Sequence, residues 1–408
     1  MSLFERTFQA VIATGHLRMT DARGRSFVVG DGTGPPCAIR VTDTRAQLHI
    51  ELDPWLAIGE CYMDGRLIIE EGDLYLFLEI LLSNVQVLPP PRWTLLLQIF
   101  RFLRRRIDQF NPAARARRNA AAHYDIDTAI YRLFLDRDMQ YSCAYFETPG
   151  IGLDEAQRLK KRHIAAKLHI RPGHRVLDIG CGWGGMAFYL AGAAGAEVTG
   201  ITLSRAQLDL ARQREQEFTG PGSTRFRLED YRETAGTYDR IVSVGMFEHV
   251  GIDHYPAFFR CIGDLLADDG VALIHSIGRF DGPAPTNAFI RKYIFPGGAL
   301  PALSEVMPLV ESSGLKLCDV EIWRLHYAET LKKWRQRFMA RRDEAARLRD
   351  ERFCRMWEFY LAASEASFRY QDLMVFQLLL TRHQGALPLT RDYIAAEKSR
   401  LLQRELPV

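Results

Sequence analysis

The chain lacks the features of a membrane-spanning protein and of a disulfide-bonded one. No uninterrupted apolar run approaches the roughly 20 residues needed to cross a bilayer, and the best candidate, residues 93–103, is interrupted by Arg101. The first residues carry charge among their apolar positions and no small-residue cleavage site, so we expect no secretion signal and a cytoplasmic protein. The seven cysteines include no CxxC pair, which argues against a zinc knuckle and predicts reduced thiols and no metal site.

The chain also has little net charge and no internal repeat. A formal charge of +3 over 408 residues is too small to suggest bulk nucleic-acid binding, so no nucleic-acid partner is expected. The positive charge gathers instead in residues 92–118, which hold eight arginines against a single acid, Asp108, with aliphatic and aromatic residues between them. This stretch is either a solvated linker helix or a contact with anionic lipid, where each basic residue contributes roughly 1 kcal/mol.

The length exceeds the usual size of a single domain and predicts about two. The first part mixes short strand-like runs with Gly and Pro turns, which predicts strands at 26–29, 39–41 and 47–50 followed by a helix at 74–82. Three consecutive prolines end this part, because proline removes backbone donors. We therefore predict a small α+β domain over 1–90, a basic linker over 91–120 and a larger domain over 121–408.

The larger domain alternates strand-like and helix-like segments from residue 171 onwards. This alternation is typical of an α/β fold with a mostly parallel, doubly wound sheet. The predicted strands are 175–179, 197–201, 225–228, 240–244 and 271–277, with an edge strand at 316–323. Residues 328–384 are predicted to be helical additions near the end of the chain.

The most specific local motif is VLDIGCGWGG, residues 176–185, which follows the first of these strands and opens a helix. Glycine there lets the backbone approach a ligand, and a helix N-terminus favours negative groups. A dinucleotide fold would have GxGxxG and an acid closing the second strand, whereas this chain has GxGxG and closes that strand with 202–204. The motif resembles the S-adenosylmethionine loop of Rossmann-like methyltransferases, in which Gly180 and Gly182 would approach the amino acid portion of the cofactor. Asp178 in the same motif is a further candidate.

Asp230 and Tyr231 follow the third strand, where such folds bind adenine. The carboxylate would accept a hydrogen bond from the adenine amino group, and the ring would pack on an adenine face. The alternative is that Asp230 simply caps a helix.

Several segments hold more polar and aromatic residues than a core requires. Taken singly, each has an ordinary explanation: His275 would be a hydrogen-bonded core histidine and Tyr327 a packing aromatic. Glu248 and His275, however, belong to the ends of the fourth and fifth strands, whose carboxyl ends line the ligand crevice of this fold. The segments are AAHYDI (121–126), MQYSCAYFE (139–147), FEHVG (247–251), LIHSI (273–277) and HYAETL (326–331).

Taken in order, the motifs resemble those of the cyclopropane fatty acyl phospholipid synthases and the related mycolic acid cyclopropane synthases. The likeness rests on HYDI, QYSCAYFE, VLDIGCGWGG, GITLSRAQ, GMFEHVG, KYIFPGGALP and HYAETL. It runs from about His123 to the end and more loosely over the first domain, which resembles the lipid-engaging N-terminal domain of the phospholipid-acting members.

The resemblance implies transfer of a methylene carbon from S-adenosylmethionine to the cis double bond of an unsaturated acyl chain of a membrane phospholipid. It implies a carbocation deprotonated by enzyme-bound bicarbonate, peripheral contact with the inner face of the membrane, and a homodimer. The implied bicarbonate ligands are Cys143, Glu248, His275, Tyr327 and the backbone of Ile277. The implied cofactor contacts are Tyr141, Ser142, Gly180, Thr202, Leu203, Gln207 and Tyr231, with Gln207 contacting the ribose.

The chemistry itself sets further expectations. Aromatic faces such as Tyr141, Tyr145 or Phe247 could stabilise the cation by roughly 0.5 to 2 kcal/mol each. A carboxylate or a neutral histidine could serve as the base in principle, and a reference pKa of about 6.5 predicts a partly protonated His275 near neutral pH. Three alternatives stay open: a lipid C-methyltransferase giving a methyl-branched or methylene product without ring closure, a lipid-binding protein without turnover, and a methyltransferase for a small amine.

Overall fold

The computed structural model describes residues 2–85, 99–105 and 128–405. The chain divides into two compact units. Unit 1 is Met1–Ile107, Ala284–Pro296 and Ala328–Leu373; unit 2 is Asp108–Pro283, Gly297–Tyr327 and Met374–Val408. The predicted domain boundaries near 90 and 120 lie outside the described residues and stay predictions, and unit 1 also takes in two segments of the predicted larger domain.

The described residues include fourteen α-helices and eleven strands whose bounds are given below, and residues 99–105 are helical as well. The helices are, in chain order, α1 Leu3–Gln9, α2 Thr44–Leu52, α3 Pro54–Met63, α4 Leu74–Val85, α5 Thr128–Phe134, α6 Leu153–Lys167, α7 Gly185–Ala194, α8 Arg205–Glu217, α9 Tyr255–Leu265, α10 Leu303–Ser312, α11 His326–Ala340, α12 Arg342–Leu348, α13 Glu351–Tyr370 and α14 Asp392–Leu402. The strands are β1 His16–Thr20, β2 Ser26–Val29, β3 Pro36–Val41, β4 Leu67–Glu71, β5 Arg175–Ile179, β6 Glu197–Thr202, β7 Ser223–Leu228, β8 Tyr238–Val244, β9 Leu266–Arg279, β10 Lys316–Trp323 and β11 Leu373–Thr381. Among the described helices, none combines the length and the apolar character needed to cross a membrane.

Unit 1 is built around a four-stranded sheet in the order β2-β1-β3-β4. β1 pairs antiparallel with β2 and parallel with β3, and β4 closes the sheet antiparallel to β3. The prediction of a strand at 47–50 is wrong, because these residues lie in α2. The Asp43 side chain accepts hydrogen bonds from the first turn of that helix, and Ala46 and Ile50 bury one face at a spacing of four residues.

Unit 2 contains a seven-stranded sheet in the order β10-β11-β9-β8-β5-β6-β7. The strands from β9 to β7 pair in parallel, which confirms the predicted α/β fold and its mostly parallel sheet. Successive residues of β5 pack into two separate hydrophobic cores, with Val176 in one and Leu177 in the other. Helices therefore cover both faces of the sheet, as expected for buried parallel strands.

The sequence prediction for unit 2 is wrong in one place. Residues 373–381 were predicted to be helical, but they form β11, which pairs antiparallel with the correctly predicted edge strand β10. All of β11 except Leu373 is buried, so its residues show no alternation of polar and apolar positions. Such a continuous apolar run cannot be distinguished from a buried helix by periodicity.

The strand order places a crevice between two neighbouring strands. From β5 the chain proceeds to β6 and β7 on one side and then returns to β8 and β9 on the other. Ligands of open α/β sheets bind outside the carboxyl ends of strands where the order reverses in this way. The ends of β5 and β8 are therefore where a site is expected.

Candidate active site

The glycine loop begins where β5 ends. Gly180 has a φ of +81° and Gly182 a φ of +56°, a region that L side chains rarely adopt. A Cβ on Gly180 would lie 2.8 Å from the side chain of Met246, so this position also has no room for one. Gly184 precedes α7, and the loop therefore presents backbone and a helix N-terminus to the crevice.

Asp178 is the last residue but one of β5, just before this loop, and is 2% exposed. Its Oδ2 is buried and has no hydrogen-bond partner among the described residues. Burial raises the pKa of the Asp178 carboxyl to about 7, against the opposing effect of the Lys160 charge. A buried carboxylate oxygen without a partner indicates a place for a ligand donor or cation.

The end of β6 provides the polar groups predicted to contact the cofactor. Thr202 Oγ1 donates to Gln207 Oε1 over 2.8 Å, and the Ser204 hydroxyl caps α8 by accepting from the Gln207 backbone. Leu203 is half-buried between them. The hydrogen bond from Thr202 fixes the Gln207 carboxamide, and the contact of Gln207 with a ribose stays a prediction.

Asp230 and Tyr231 follow β7 but meet a partner that the sequence did not suggest. Arg232 donates to both Asp230 oxygens, over 2.8 and 2.6 Å, and its guanidinium lies 5.4 Å from the centre of the Tyr231 ring. A turn follows Asp230, so the helix-cap alternative is wrong. The predicted adenine contacts of Asp230 and Tyr231 stay predictions.

Tyr141 and Ser142 lie near the glycine loop and near the end of β8, respectively. Tyr141 packs edge-on against Tyr131, which in turn packs against Trp183 in the loop, each at 5.1 Å between ring centres. A Cβ on Gly245, at the end of β8, would lie 3.7 Å from the Ser142 side chain. The structure therefore brings Ser142 to the carboxyl ends of the strands where the sequence analysis expected it.

Glu248 stands in a short 3-10 helix directly after β8. Its Oε1 accepts a hydrogen bond from the Ile277 backbone N–H over 2.6 Å, and its Oε2 is buried with no partner among the described residues. Burial raises the pKa of the Glu248 carboxyl to about 7. The structure thus brings together two of the predicted anion ligands, Glu248 and the Ile277 backbone, by a direct hydrogen bond.

His275 lies on β9, two residues before Ile277, and is buried. Its Nδ1 is 3.1 Å from the side-chain Nε2 of Gln377 on β11, and its ring packs edge-on against Trp323 at 5.0 Å. With the Gln377 amide donating to Nδ1, the ring carries its proton on Nε2. Burial and nearby lysines lower the pKa of His275 well below its usual value, so the expectation of a partly protonated His275 is wrong and the ring is neutral.

Cys143 and Tyr327 complete the predicted set. Cys143 is buried, and its thiol donates to the Ala144 carbonyl over 3.4 Å. Tyr327 is a buried residue in the first turn of α11, next to His326, which accepts from the Phe146 backbone N–H over 3.1 Å. The short segment after Cys143 therefore meets the residue that precedes Tyr327.

Two residues of this region were missed by the sequence analysis. Gln377 lies in the strand taken for a helix, and Lys160 stands beside other charged residues in α6. No local signal marked either one, because their partners are 102 and 18 residues away. The predicted segment 121–126 lies outside the described residues.

The sequence resembles known proteins over most of its length. Residues 112–378 match the family described as mycolic acid cyclopropane synthetase. The chain is 35% identical over 347 residues to the cyclopropane-fatty-acyl-phospholipid synthase of Escherichia coli, covering 85% of this chain and 88% of that one. It is 37% identical over 385 residues to a tuberculostearic acid methyltransferase of Mycobacterium tuberculosis, covering 90% and 88%.

A solved structure shows the same similarity. A mycolic acid cyclopropane synthase in complex with SAH and CTAB matches with a TM-score of 0.63 and 34% identity, covering 67% of this chain and 99% of that one. SAH, S-adenosylhomocysteine, is the product left when S-adenosylmethionine gives up its methyl group.

Proposed function

The chain belongs to the mycolic acid cyclopropane synthetase family of S-adenosylmethionine-dependent enzymes, and we propose that it adds a methylene carbon across the cis double bond of an unsaturated acyl chain in a membrane phospholipid. The phospholipid is proposed as the substrate because the chain covers 88% of the Escherichia coli synthase, whose name specifies that lipid class. The match to the Escherichia coli synthase includes 85% of this chain, whereas the mycolic acid cyclopropane synthase of known structure matches only 67% of it.

One observation carries the proposal for ring closure. Glu248 has a buried carboxyl whose Oε1 is held by Ile277 N–H and whose Oε2 has no partner among the described residues. A simple methyl transfer to a good nucleophile requires no such group, whereas ring closure requires that a proton leave the newly added carbon. We assign to Glu248 the role of orienting the base that receives this proton.

The residues around the glycine loop fit S-adenosylmethionine. A Cβ is excluded at Gly180 by Met246, and Asp178 offers a buried oxygen that lacks a donor. When bound, the cofactor supplies an electrophilic methyl group on sulfonium, which is needed because an alkene is a poor nucleophile. The loop positions this group, and burial of the surrounding side chains keeps water away from the reacting carbons.

Attack by the alkene would leave a positive charge on the acyl chain, and the packing of the three candidate aromatic rings supports a choice among them. The Tyr145 ring stacks on both His163 and His326, at 4.6 and 5.0 Å between ring centres. Phe247 is fully buried and stacks on Tyr255 at 4.3 Å. Tyr141 and Tyr145 are both half-buried, but the Tyr141 ring packs edge-on against Tyr131 whereas the Tyr145 ring is stacked on two histidines. We therefore assign cation stabilisation to the Tyr141 ring, at roughly 0.5 to 2 kcal/mol.

The side chains of the Glu248 site have the hydrogen-bonding groups that bicarbonate requires. The Tyr327 hydroxyl and the His275 Nε2–H would donate to its oxygens, the Cys143 thiol would exchange the Ala144 carbonyl for the anion, and Glu248 Oε2 would accept from its O–H. The Ile277 N–H, also a predicted ligand, donates to Glu248 Oε1. When bound, bicarbonate would supply the base that takes the proton lost on ring closure. His275 is neutral, so it orients the anion through a hydrogen bond without competing for that proton.

The experiment that tests the proposal combines the purified full-length protein with S-adenosylmethionine, bicarbonate and phospholipid vesicles bearing cis-monounsaturated chains. Mass spectrometry is expected to show acyl chains heavier by one CH₂ that resist mild hydrogenation. A parallel reaction in buffer stripped of carbon dioxide is expected to be slower and to recover on addition of bicarbonate. Unchanged lipid in both reactions would overturn the proposal.

A second candidate function is a lipid C-methyltransferase that forms a methyl branch without a ring. The observation that favours it is the 37% identity to a tuberculostearic acid methyltransferase over 90% of this chain. The same cation serves both outcomes: loss of a proton from the new carbon gives either the ring or a methylene group, and a methyl branch forms only when an added hydride donor reduces the intermediate. A product heavier by CH₄, or a methylene product that is hydrogenated readily, would support this second function.

We propose peripheral membrane contact through the helical residues 99–105 of unit 1. Phe100 is 55% and Leu103 72% exposed, and Arg104 lies over the Phe100 ring at 5.5 Å. Exposed apolar side chains next to arginines suit the surface of an anionic bilayer. Phe100→Ser with Leu103→Ser should weaken co-sedimentation with anionic vesicles, and unchanged binding would contradict this contact.

The remaining arginines of 92–118 lie outside the described residues, and the homodimer and the inner-face location stay predictions.

A further inference from the structure

Lys160 is a fully buried amine beneath the candidate cofactor site. It lies on α6 with no exposed surface, and its Nζ donates to the Ser142 hydroxyl over 2.7 Å. Among the described residues it has no carboxylate at ion-pair distance, whereas the adjacent Lys161 pairs with Asp138. A buried ammonium normally has a counter-ion, so Lys160 has a hydroxyl partner where a negative group is expected.

The hydroxyl that Lys160 holds belongs to the wall of the crevice. Gln157 Nε2 donates to the Ser142 carbonyl over 2.9 Å, which fixes this residue from α6 as well. The Ser142 side chain lies against Gly245 at the end of β8. Through Ser142, Lys160 therefore acts at the end of β8, which neighbours the end of β5 where the glycine loop begins.

The ionisable groups around Lys160 act on the pKa of its amine in opposite directions. Burial lowers the pKa of its amine to about 7; Asp136, Cys143 and Asp138 oppose this shift and Lys161 adds to it. Asp178 and His275 also feel the Lys160 charge. The crevice thus combines a cation without a counter-ion and, in Asp178, a carboxylate oxygen without a donor, and this pair is complementary to an amino acid zwitterion.

We propose that Lys160 is a positioning residue that, through Ser142, anchors the carboxylate of the cofactor's amino acid portion and takes up a proton when the cofactor binds. Asp178 receives the ammonium group of the same portion. The inference rests on the use of S-adenosylmethionine and not on the identity of the lipid acceptor. The Ser142 hydroxyl, which accepts a hydrogen bond from the buried Lys160, would then donate to the carboxylate of the methionine portion.

The proposal fixes the sign of the pH dependence. A bound carboxylate raises the pKa of Lys160, so cofactor binding takes up a proton between the pKa of the free protein, about 7, and the higher value in the complex. The contribution of Lys160 to affinity is therefore full below about pH 7 and is lost as the pH rises towards the higher value in the complex. Asp178, whose pKa in the free protein is also about 7, must be ionised to receive the ammonium group, so affinity is highest near pH 7 and falls as the pH rises above it. At about pH 8, Asp178 is already ionised and does not contribute a compensating proton release.

The test is titration calorimetry of the full-length protein with S-adenosylhomocysteine at about pH 8, in two buffers that differ in ionisation enthalpy. Wild-type protein is expected to take up close to one proton per ligand bound, and Lys160→Met to take up none. Lys160→Met should also bind about tenfold more weakly, the loss expected for a charge-assisted hydrogen bond. Lys160→Arg keeps a permanent charge and should bind without proton uptake, and the exposed Lys316→Met serves as the matched control.

A second ligand separates anchoring from a merely structural role. 5′-Methylthioadenosine lacks the amino acid portion, so its binding should be insensitive to Lys160→Met and should involve no proton uptake. Equal weakening of both ligands, or unchanged proton uptake in Lys160→Met, would overturn the proposal. A protein that shows the expected uptake but leaves lipid unchanged would sink the proposed lipid chemistry and leave this inference standing.

Discussion

Two neighbouring regions of unit 2, the glycine loop after β5 and the Glu248 site after β8, are built in opposite ways. The loop belongs to one run of ten consecutive residues, 176–185, and its shape depends on glycines at positive φ, Gly180, Gly182 and Gly184. The Glu248 site combines side chains that are far apart in the sequence and whose pKa values are shifted by burial. The loop should therefore govern cofactor binding, and the Glu248 site should govern what happens to the carbon after it is transferred.

The largest expected effect separates these two roles. Glu248→Gln should lower kcat about 1,000-fold, within the range for loss of assisted proton transfer, because the one amide oxygen accepts from Ile277 N–H and the NH2 group then stands as a donor where Oε2 would accept the anion's hydrogen bond. The dissociation constant for S-adenosylhomocysteine should stay unchanged. Steady-state kinetics and calorimetry check the two quantities, with the exposed Glu311→Gln as control. Comparable losses in turnover and in cofactor affinity would erase the distinction between the regions.

The next effect concerns stability. The pKa of Glu248 rises from 4.5 to about 7 on folding, so its contribution to stability is full below pH 4.5 and is lost as the pH rises through about 7. The free energy of unfolding of the wild type should therefore fall relative to Glu248→Gln between about pH 5 and pH 8, by on the order of 3 kcal/mol. Denaturant titrations at several pH values measure this difference. A difference independent of pH would mean that the carboxyl is not buried.

A pair of glycine substitutions sharpens the other side of the comparison. Gly180→Ala and Gly182→Ala both place an L residue at positive φ, which costs about 1–2 kcal/mol, but only at Gly180 would the new Cβ meet a neighbour, Met246. We expect Gly180→Ala to weaken S-adenosylhomocysteine binding more than Gly182→Ala and to leave the ratio of ring to branched product unchanged. Equal affinities in the two variants would show that the Met246 side chain moves aside for the new Cβ.

The smallest expected effect is at Gln377. Gln377→Leu removes the partner of His275 Nδ1 and should lower kcat roughly fivefold, corresponding to about 1 kcal/mol for one buried hydrogen bond. Cofactor affinity should not change, and the exposed Gln213→Leu provides the control. A loss of affinity without a loss of turnover would place Gln377 with the glycine loop instead.

The comparison also explains what the sequence could predict. The glycine loop and the parallel strands were found because their signals are local: apolar runs, glycines and a strand followed by a helix. Predictions failed for two different reasons. Residues 47–50 are helical because Asp43 caps α2, which is a local signal that was overlooked. β11 was taken for a helix because a strand buried on both faces shows no alternation, and that burial is decided by tertiary packing.

The Glu248 site was identified through motif resemblance, while its electrostatics depended on the fold. The neutral state of His275 follows from its complete burial, which no local pattern displays. Lys160 and Gln377 escaped notice because their partners, Ser142 and His275, are distant in sequence. Residue types, spacing and the family resemblance thus supplied the candidates for the chemistry, and the packed structure added the direction in which burial shifts their pKa values and the residues that hold them.

The measurement that tests the central claim most directly uses S-adenosylmethionine carrying a trideuterated methyl group. Wild-type protein acting on vesicles of cis-monounsaturated phospholipid should give a product that keeps two deuterons and resists mild hydrogenation, because one deuteron leaves through the Glu248 site as the ring closes. A product that keeps all three deuterons would contradict the account, since the new carbon would then never have been deprotonated.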